Sequence, residues 1–178
     1  MPYTAKEPIA MTTTVPTESA LQDAKALGKR VLALIESARG IDDLAPENVE
    51  KRTGLRMRLS PGNANEYGVT GKLSDVWYYG LRSMSSVPGQ KPNRLLFEFN
   101  DQTHAGADMT PVCVSFDEYH QALVAAGFSA TRLRNRVDTR DYWEFTRGDV
   151  GVTVYPRGKR APGDAQTCVS MLIINAYA

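Results

Sequence analysis

The chain has 178 residues, a length that suits one domain with a sizeable core. Hydrophobic residues make up 42% and charged residues 23%, the balance of a globular protein, which argues against wholesale disorder and against a membrane-spanning class. With 21 basic against 20 acidic side chains the formal charge is +1, so nothing pulls the chain generally toward nucleic acid or anionic lipid, and no run approaches the roughly 20 consecutive apolar residues of a transmembrane helix.

Residues 1–17 are rich in Thr and Pro and lack periodicity, which reads as a flexible leader ahead of a single domain over 18–178. Such a leader suits a tether between an anchor and a folded domain, or an ordinary frayed terminus. Leu21, Ala24, Leu27, Val31, Leu32, Leu34 and Ile35 recur at helical spacing and predict an amphipathic helix over 19–38. Ser19 with Gln22 forms a capping-box pattern at its start, and Gly40 is placed to end it. A short helix follows at 46–53, opened by Pro46, stapled by Leu44 against Val49 and closed by Gly54.

After Gly54 the period changes to two. Leu55, Met57 and Leu59 alternate with Arg56 and Arg58, and strands are predicted at 55–59, 67–73, 75–84 and 94–100. Following a loop over 101–112, Ser115 with Glu118 forms a second capping box for a helix over 116–126, closed by Gly127. Four more strands are predicted at 128–134, 141–147, 150–156 and 166–176, with 147–149 as a tight hairpin. Consecutive strands joined by short turns favour antiparallel meanders. The expected fold is therefore α+β: two tandem units, about 41–108 and 109–178, each a helix plus a four-stranded meander. They align at Gly54 and Gly127 and join into one large sheet with helices on one face.

This order of helix, four strands, helix, four strands resembles the β-lactamase-inhibitor-protein-like architecture of small secreted bacterial proteins, over roughly residues 41–178. The resemblance implies a curved sheet backed by helices whose concave face binds an enzyme. The long first helix has no counterpart in that simple repeat.

Cys113 directly precedes the second capped helix and Cys168 opens the last strand, in no CxxC or metal-ligand spacing. A bridge between them would contribute about 4 kcal/mol in the chain-entropy account; two buried free thiols in a cytosolic protein are the alternative. No nucleotide-binding glycine pattern is present, and neither a cofactor nor a metal is expected. His120 reads as a surface histidine beside Asp117. His104 shares a polar loop with Asp101 and Asp108, three side chains of a kind that ligate metals or act as acid and base, but at no known ligand spacing. Arg132, Arg134, Arg136 and Arg140 form the strongest charge cluster, offset by Asp138, Asp141 and Glu144.

Strand alternation puts Trp77, Tyr79 and Leu81 on one face, and Trp143 with Phe145 likewise, which makes them core. Tyr78, Arg82, Tyr142, Glu144 and Tyr155 then share the opposite face, a composition typical of protein interfaces; with Asp101 and His104 as a contact loop they are the candidate partner-binding residues. These readings lead to the expectation of a non-enzymatic bacterial envelope protein, periplasmic or secreted, that neutralises a toxin or enzyme. The alternatives are a hydrolase or metal-dependent enzyme using the 101–108 loop, a structural envelope lipoprotein, or a cytoplasmic location. A thiol count on the unfolded, unreduced protein separates the oxidised from the reduced compartment.

Overall fold

The computed structural model describes residues 23–62, 65–103, 107–134, 141–159 and 167–177. The first helix, α1 (Ala24–Ser37), buries Leu27, Val31, Leu34 and Ile35, the side predicted from their spacing. It begins later than expected. Asp23 is its N-cap, in extended conformation, its carboxylate accepting from the Lys25 N–H at 2.9 Å. The Ser19–Gln22 pattern lies outside the described residues. The far end also differs: Ala38 is the C-cap and Gly40 is extended (φ −171°), so the helix stops without a left-handed glycine. The chain turns instead because the Asp43 carboxylate accepts from the N–H groups of Arg39 and Gly40, at 2.7 and 3.2 Å.

A 3-10 turn (Ile41–Leu44) leads into α2 (Pro46–Thr53), with Pro46 in its first turn and Gly54 left-handed at φ +71°. Both staple residues, Leu44 and Val49, are fully buried. The strand predicted at 55–59 shrinks to β1 (Arg58–Leu59). Leu55 and Met57 are buried as the alternation requires, but their N–H groups go to Thr53 Oγ1 and to Glu50 Oε1 of α2 rather than to a ladder.

The other strands fall close to expectation: β2 (Tyr67–Lys72), β3 (Trp77–Met84), β4 (Arg94–Asp101), β5 (Ser129–Arg134), β6 (Asp141–Arg147), β7 (Val150–Lys159) and β8 (Thr167–Ala176), with α3 (Phe116–Ala125) before β5. Strand β3 starts at Trp77 because Ser74 Oγ accepts from the N–H groups of Val76 and Trp77, which holds that stretch as a turn. Strand β7 runs on past Pro156 through two register shifts, the usual way for a sheet to pass a residue that has no N–H. Ser115 caps α3 as predicted, accepting from the Glu118 N–H, and Gly127 is left-handed at φ +94°.

All eight strands form one antiparallel sheet in the order β1-β2-β3-β4-β8-β7-β6-β5. Strands β1 to β4 and β5 to β8 are thus consecutive meanders that meet along their last members, Leu95 opposite Ile174 and Phe97 opposite Leu172. The inward rows continue across this seam: Tyr79, Phe99 and Leu81 on one side, Leu172, Val154 and Phe145 on the other. They share a single core cluster with the apolar sides of α1, α2 and α3.

Helix α1 is fastened to both meanders' helices by polar contacts. Arg30 donates to Thr53 O at the end of α2, and the fully buried Tyr119 hydroxyl of α3 donates to Gly28 O. Burial drives the Tyr119 phenol far above its ordinary pKa, so at neutral pH it remains a neutral donor. A Cβ at Gly28 would sit 2.8 Å from Val114 Cγ2, and its absence lets α1 approach the segment before α3. Arg147 of β6 donates to Ala126 O (2.8 Å), Glu36 O (3.0 Å) and Ala38 O (2.7 Å), which places one guanidinium at the negative ends of α3 and α1. A disulfide joins Cys113 to Cys168 with a Cα–Cα distance of 5.1 Å, both residues being buried. It ties the approach to α3 to the start of β8, where Val169 N–H also donates to Val114 O.

Candidate functional site

With the helices on one side, every second residue of the strands stands on the other, where no described element covers it. Register fixes two rows across this face. One runs Tyr155, Met171, Glu98, Gly80, Thr70, and the next runs Thr131, Glu144, Thr153, Ile173, Leu96, Arg82, Gly68, Arg58. Leu133 and Tyr142, partners of one another, extend the first row to the β5 edge. Leu133, Tyr142, Tyr155, Met171, Ile173 and Leu96 are half-buried by their neighbours in the sheet and form an apolar strip across its middle.

Tyr142 and Tyr155 stack with ring centroids 5.4 Å apart and planes at 20°. Burial pushes the Tyr155 phenol above its ordinary pKa, and Tyr142 and Glu144 beside it add to the effect, so Tyr155 presents a neutral hydroxyl above flat apolar rings. Glu144 is exposed. Tyr78 shares this face but sits on β3, three strands from Tyr155, which at the spacing of neighbouring strands is roughly 14 Å. Arg82 projects from the same strand and is held by Glu66, with Nε donating to Oε1 at 3.0 Å and NH2 to the same oxygen.

Five of the seven predicted contact residues therefore share the open face, though not as one cluster: Tyr142, Glu144 and Tyr155 are neighbours, while Tyr78 and Arg82 stand apart. Asp101 does not join them. It is the register partner of Trp77 and so lies toward the helix side, where its carboxylate accepts from the Thr103 hydroxyl (2.6 Å), the Thr103 N–H (2.8 Å) and the Ala107 N–H (2.7 Å). The Thr103 hydroxyl first, then these N–H groups with help from Arg157, hold its pKa down at about 2. Asp108 is likewise engaged locally, with Thr110. His104 lies outside the described residues, as do Arg136, Asp138 and Arg140. Among the described residues no group of three or more His, Cys, Asp or Glu side chains is arranged to hold a metal ion, and no helix is long and apolar enough to cross a membrane.

Of two other readings, the first changes and the second is made more specific. His120 does not sit on the surface with Asp117: its ring meets Trp143 edge-on at 5.0 Å, with Phe145 at 5.6 Å and Phe116 at 6.0 Å, because α3 packs against β6 along that side. Arg132 and Arg134 do share a face, as alternation required, but it is the face of Trp143, and Asp141 pairs with both.

The residues that sequence reading missed are the apolar members of the open face: Leu96, Met171, Ile173 and Leu133. A signal existed for the first three. Leu95 and Leu96, and the run from Met171 to Ile174, are consecutive apolar residues, and a period of two must send half of each outward.

The geometry defines the class: an α+β domain with one antiparallel sheet whose helix-free face carries aromatic, apolar and charged side chains. No protein-family model matches the chain, and neither a curated protein nor a solved structure matches it.

Proposed function

We propose that this chain is a non-enzymatic binding protein of the bacterial envelope that docks a protein partner on the helix-free face of its sheet and neutralises it, as an immunity protein does a toxin or an inhibitor does an enzyme. The observation that carries this reading is the apolar strip crowned by the Tyr142–Tyr155 stack, left uncovered among the described residues. Tyrosine offers large rigid contact area with a polar tip, and half-buried aliphatic neighbours exclude water around it, which is how the centre of a protein interface is built. Glu144 and Arg82 lie on either side of the strip and would fix the partner's orientation. A buried disulfide suits an oxidising compartment and supports the envelope location.

The two meanders, each entered by a capped or stapled helix and a left-handed glycine, are on this reading two copies of one unit, about 41–108 and 109–178. Helix α1 is an addition that braces both. The layout resemblance to β-lactamase-inhibitor-protein-like domains fits the same picture of a sheet used as a platform.

The test is a complex with the product of the adjacent gene, measured by size exclusion and calorimetry. An equimolar complex is expected. Tyr155→Ala, and Ile173→Asp in the middle of the strip, should each weaken it by about 2 kcal/mol or more, the cost of losing a central anchor. A product that does not bind, or a complex indifferent to Ile173→Asp, rejects the reading.

A further inference from the structure

The open face is not uniform along its rows. Beyond Leu96 it ends in a groove that wraps the β1 edge, its lining including Arg56, Arg58, Gly68 and Arg82 together with Leu59 and Tyr79 from the helix side. Register explains the groove: Arg58 pairs with Gly68 and Gly68 with Arg82, so two arginines stand one strand apart on either side of a residue with no side chain. Neighbouring strands are about 4.8 Å apart, so the two arginine backbones flank a trough roughly 10 Å wide. All three arginines are exposed. Two acids stand at this end: Glu66 is bonded to Arg82, and the Glu50 carboxylate is engaged by the Met57 N–H; among the described residues neither Arg56 nor Arg58 forms an ion pair.

From this arrangement we propose that the groove takes an acidic segment of the protein partner, with carboxylates on the guanidinium groups of Arg56 and Arg58 over the floor made by Gly68. The inference rests on the sheet-face reading and names the chemistry of the partner at one end of that face. A guanidinium presents a planar fork of donors that matches a carboxylate with two parallel bonds, and an extended acidic strand fits a trough one residue wide. Protein is favoured over nucleic acid by what lies further along the same rows. Glu98 and Glu144 would repel a phosphate backbone continuing across the sheet, whereas the apolar strip between them suits a folded partner.

Gly68 makes the groove testable without breaking the fold. Its backbone is outside the left-handed region, and an added Cβ would meet only Leu81 O at 3.5 Å and Arg82 Cγ at 3.7 Å, ordinary contacts. Gly68→Val should therefore fold and fill the trough. The probe is a fluorescein-labelled octaglutamate peptide followed by anisotropy at low ionic strength, with octalysine and octathymidylate alongside. Octaglutamate is expected to bind, to weaken at least about tenfold with Gly68→Val or with Arg56→Glu/Arg58→Glu, and to lose affinity steeply as salt is raised. Its amide shifts should centre on residues 56–58 and 68.

Absence of octaglutamate binding, or binding unchanged in both variants, overturns the proposal. Octathymidylate binding as tightly and losing affinity in the same variants overturns it in favour of nucleic acid. Shifts confined to Tyr142, Tyr155 and Met171 overturn the groove while leaving the sheet face standing. The sheet-face reading fails separately, by a natural complex indifferent to Ile173→Asp.

Discussion

Arg147→Met removes a guanidinium that spans two helix ends while keeping an unbranched side chain in its place. Its three carbonyl partners do not weigh equally. Arg39 already donates from the solvent side to Glu36 O (2.8 Å) and Ala38 O (3.1 Å), so the end of α1 keeps a cation when Arg147 is gone. Ala126 O at the end of α3 has no such substitute among the described residues, and a hydrogen bond from a charged donor is worth about 1.5–3 kcal/mol. The guanidinium also lies 4.2 Å above the Phe128 ring, worth about 0.5–1 kcal/mol. Against this, burial and the like charge of Arg39 both disfavour the Arg147 cation and lower its pKa, Glu36 offsetting them in part, so removal relieves some strain. The balance is a loss of about 2–3 kcal/mol, a fall in Tm of about 4–12 °C for a chain of this size. Arg39→Met, at an exposed position whose acceptors Arg147 still serves, should cost no more than about 0.5 kcal/mol. Urea unfolding followed by far-ultraviolet circular dichroism gives both values. Equal costs for the two variants, or an Arg147→Met within about 0.5 kcal/mol of the parent, would refute the argument that one arginine bridges α1 and α3.

Two further outcomes follow from single contacts. A Cβ at Gly71 would fall 2.4 Å from Tyr79 Cε1, whose ring is buried across the strand pair, so Gly71→Ala should destabilise by about 1–3 kcal/mol. Tyr79→Leu should recover part of that loss in the double variant, and a neutral Gly71→Ala in thermal melts would show that the ring is not seated there. Asp101 has a pKa of about 2 when folded against its ordinary value of 3.8, so the folded state favours its charged form. That contribution is complete above the unfolded value and fades as pH falls from about 4 toward 2. The stability difference between the parent and Asp101→Asn should accordingly shrink over that interval; a difference constant from pH 5 to pH 2 removes the loop role given to this carboxylate.

Much of the fold was legible because each element had an independent signal in the sequence. The Ser115 cap, the glycines after α2 and α3, and the apolar alternation of β3 each imposed one local conformation, and the structure adopts it. The misread strand at 55–59 has a local cause, a competing hydrogen bond. Leu55 and Met57 alternate like a strand, yet Thr53 and Glu50 capture their N–H groups. The site was less legible than the fold. Alternation assigned Tyr78, Tyr142 and Tyr155 to one face, but only the seam between β4 and β8 says how far apart they stand and which aliphatic residues lie between them. Nor does any local pattern reveal that Gly68 is flanked by Arg58 and Arg82, since that depends on two separate registers.

The strand order has a consequence for how such a chain comes into being. Strand β8 is the last of the sheet to be synthesised, yet it lies in the middle, between β4 and β7. Until it arrives the earlier meander ends in the bare hydrogen-bonding edge of β4 and the later one in that of β7, two apolar edges able to pair with the wrong neighbour. The fold must therefore close in a late, non-local step, with Cys168 carried in on the same strand toward a partner thiol made far earlier. Emergence of that strand, more than the formation of any one helix, would then set the moment at which the open face first exists as a surface.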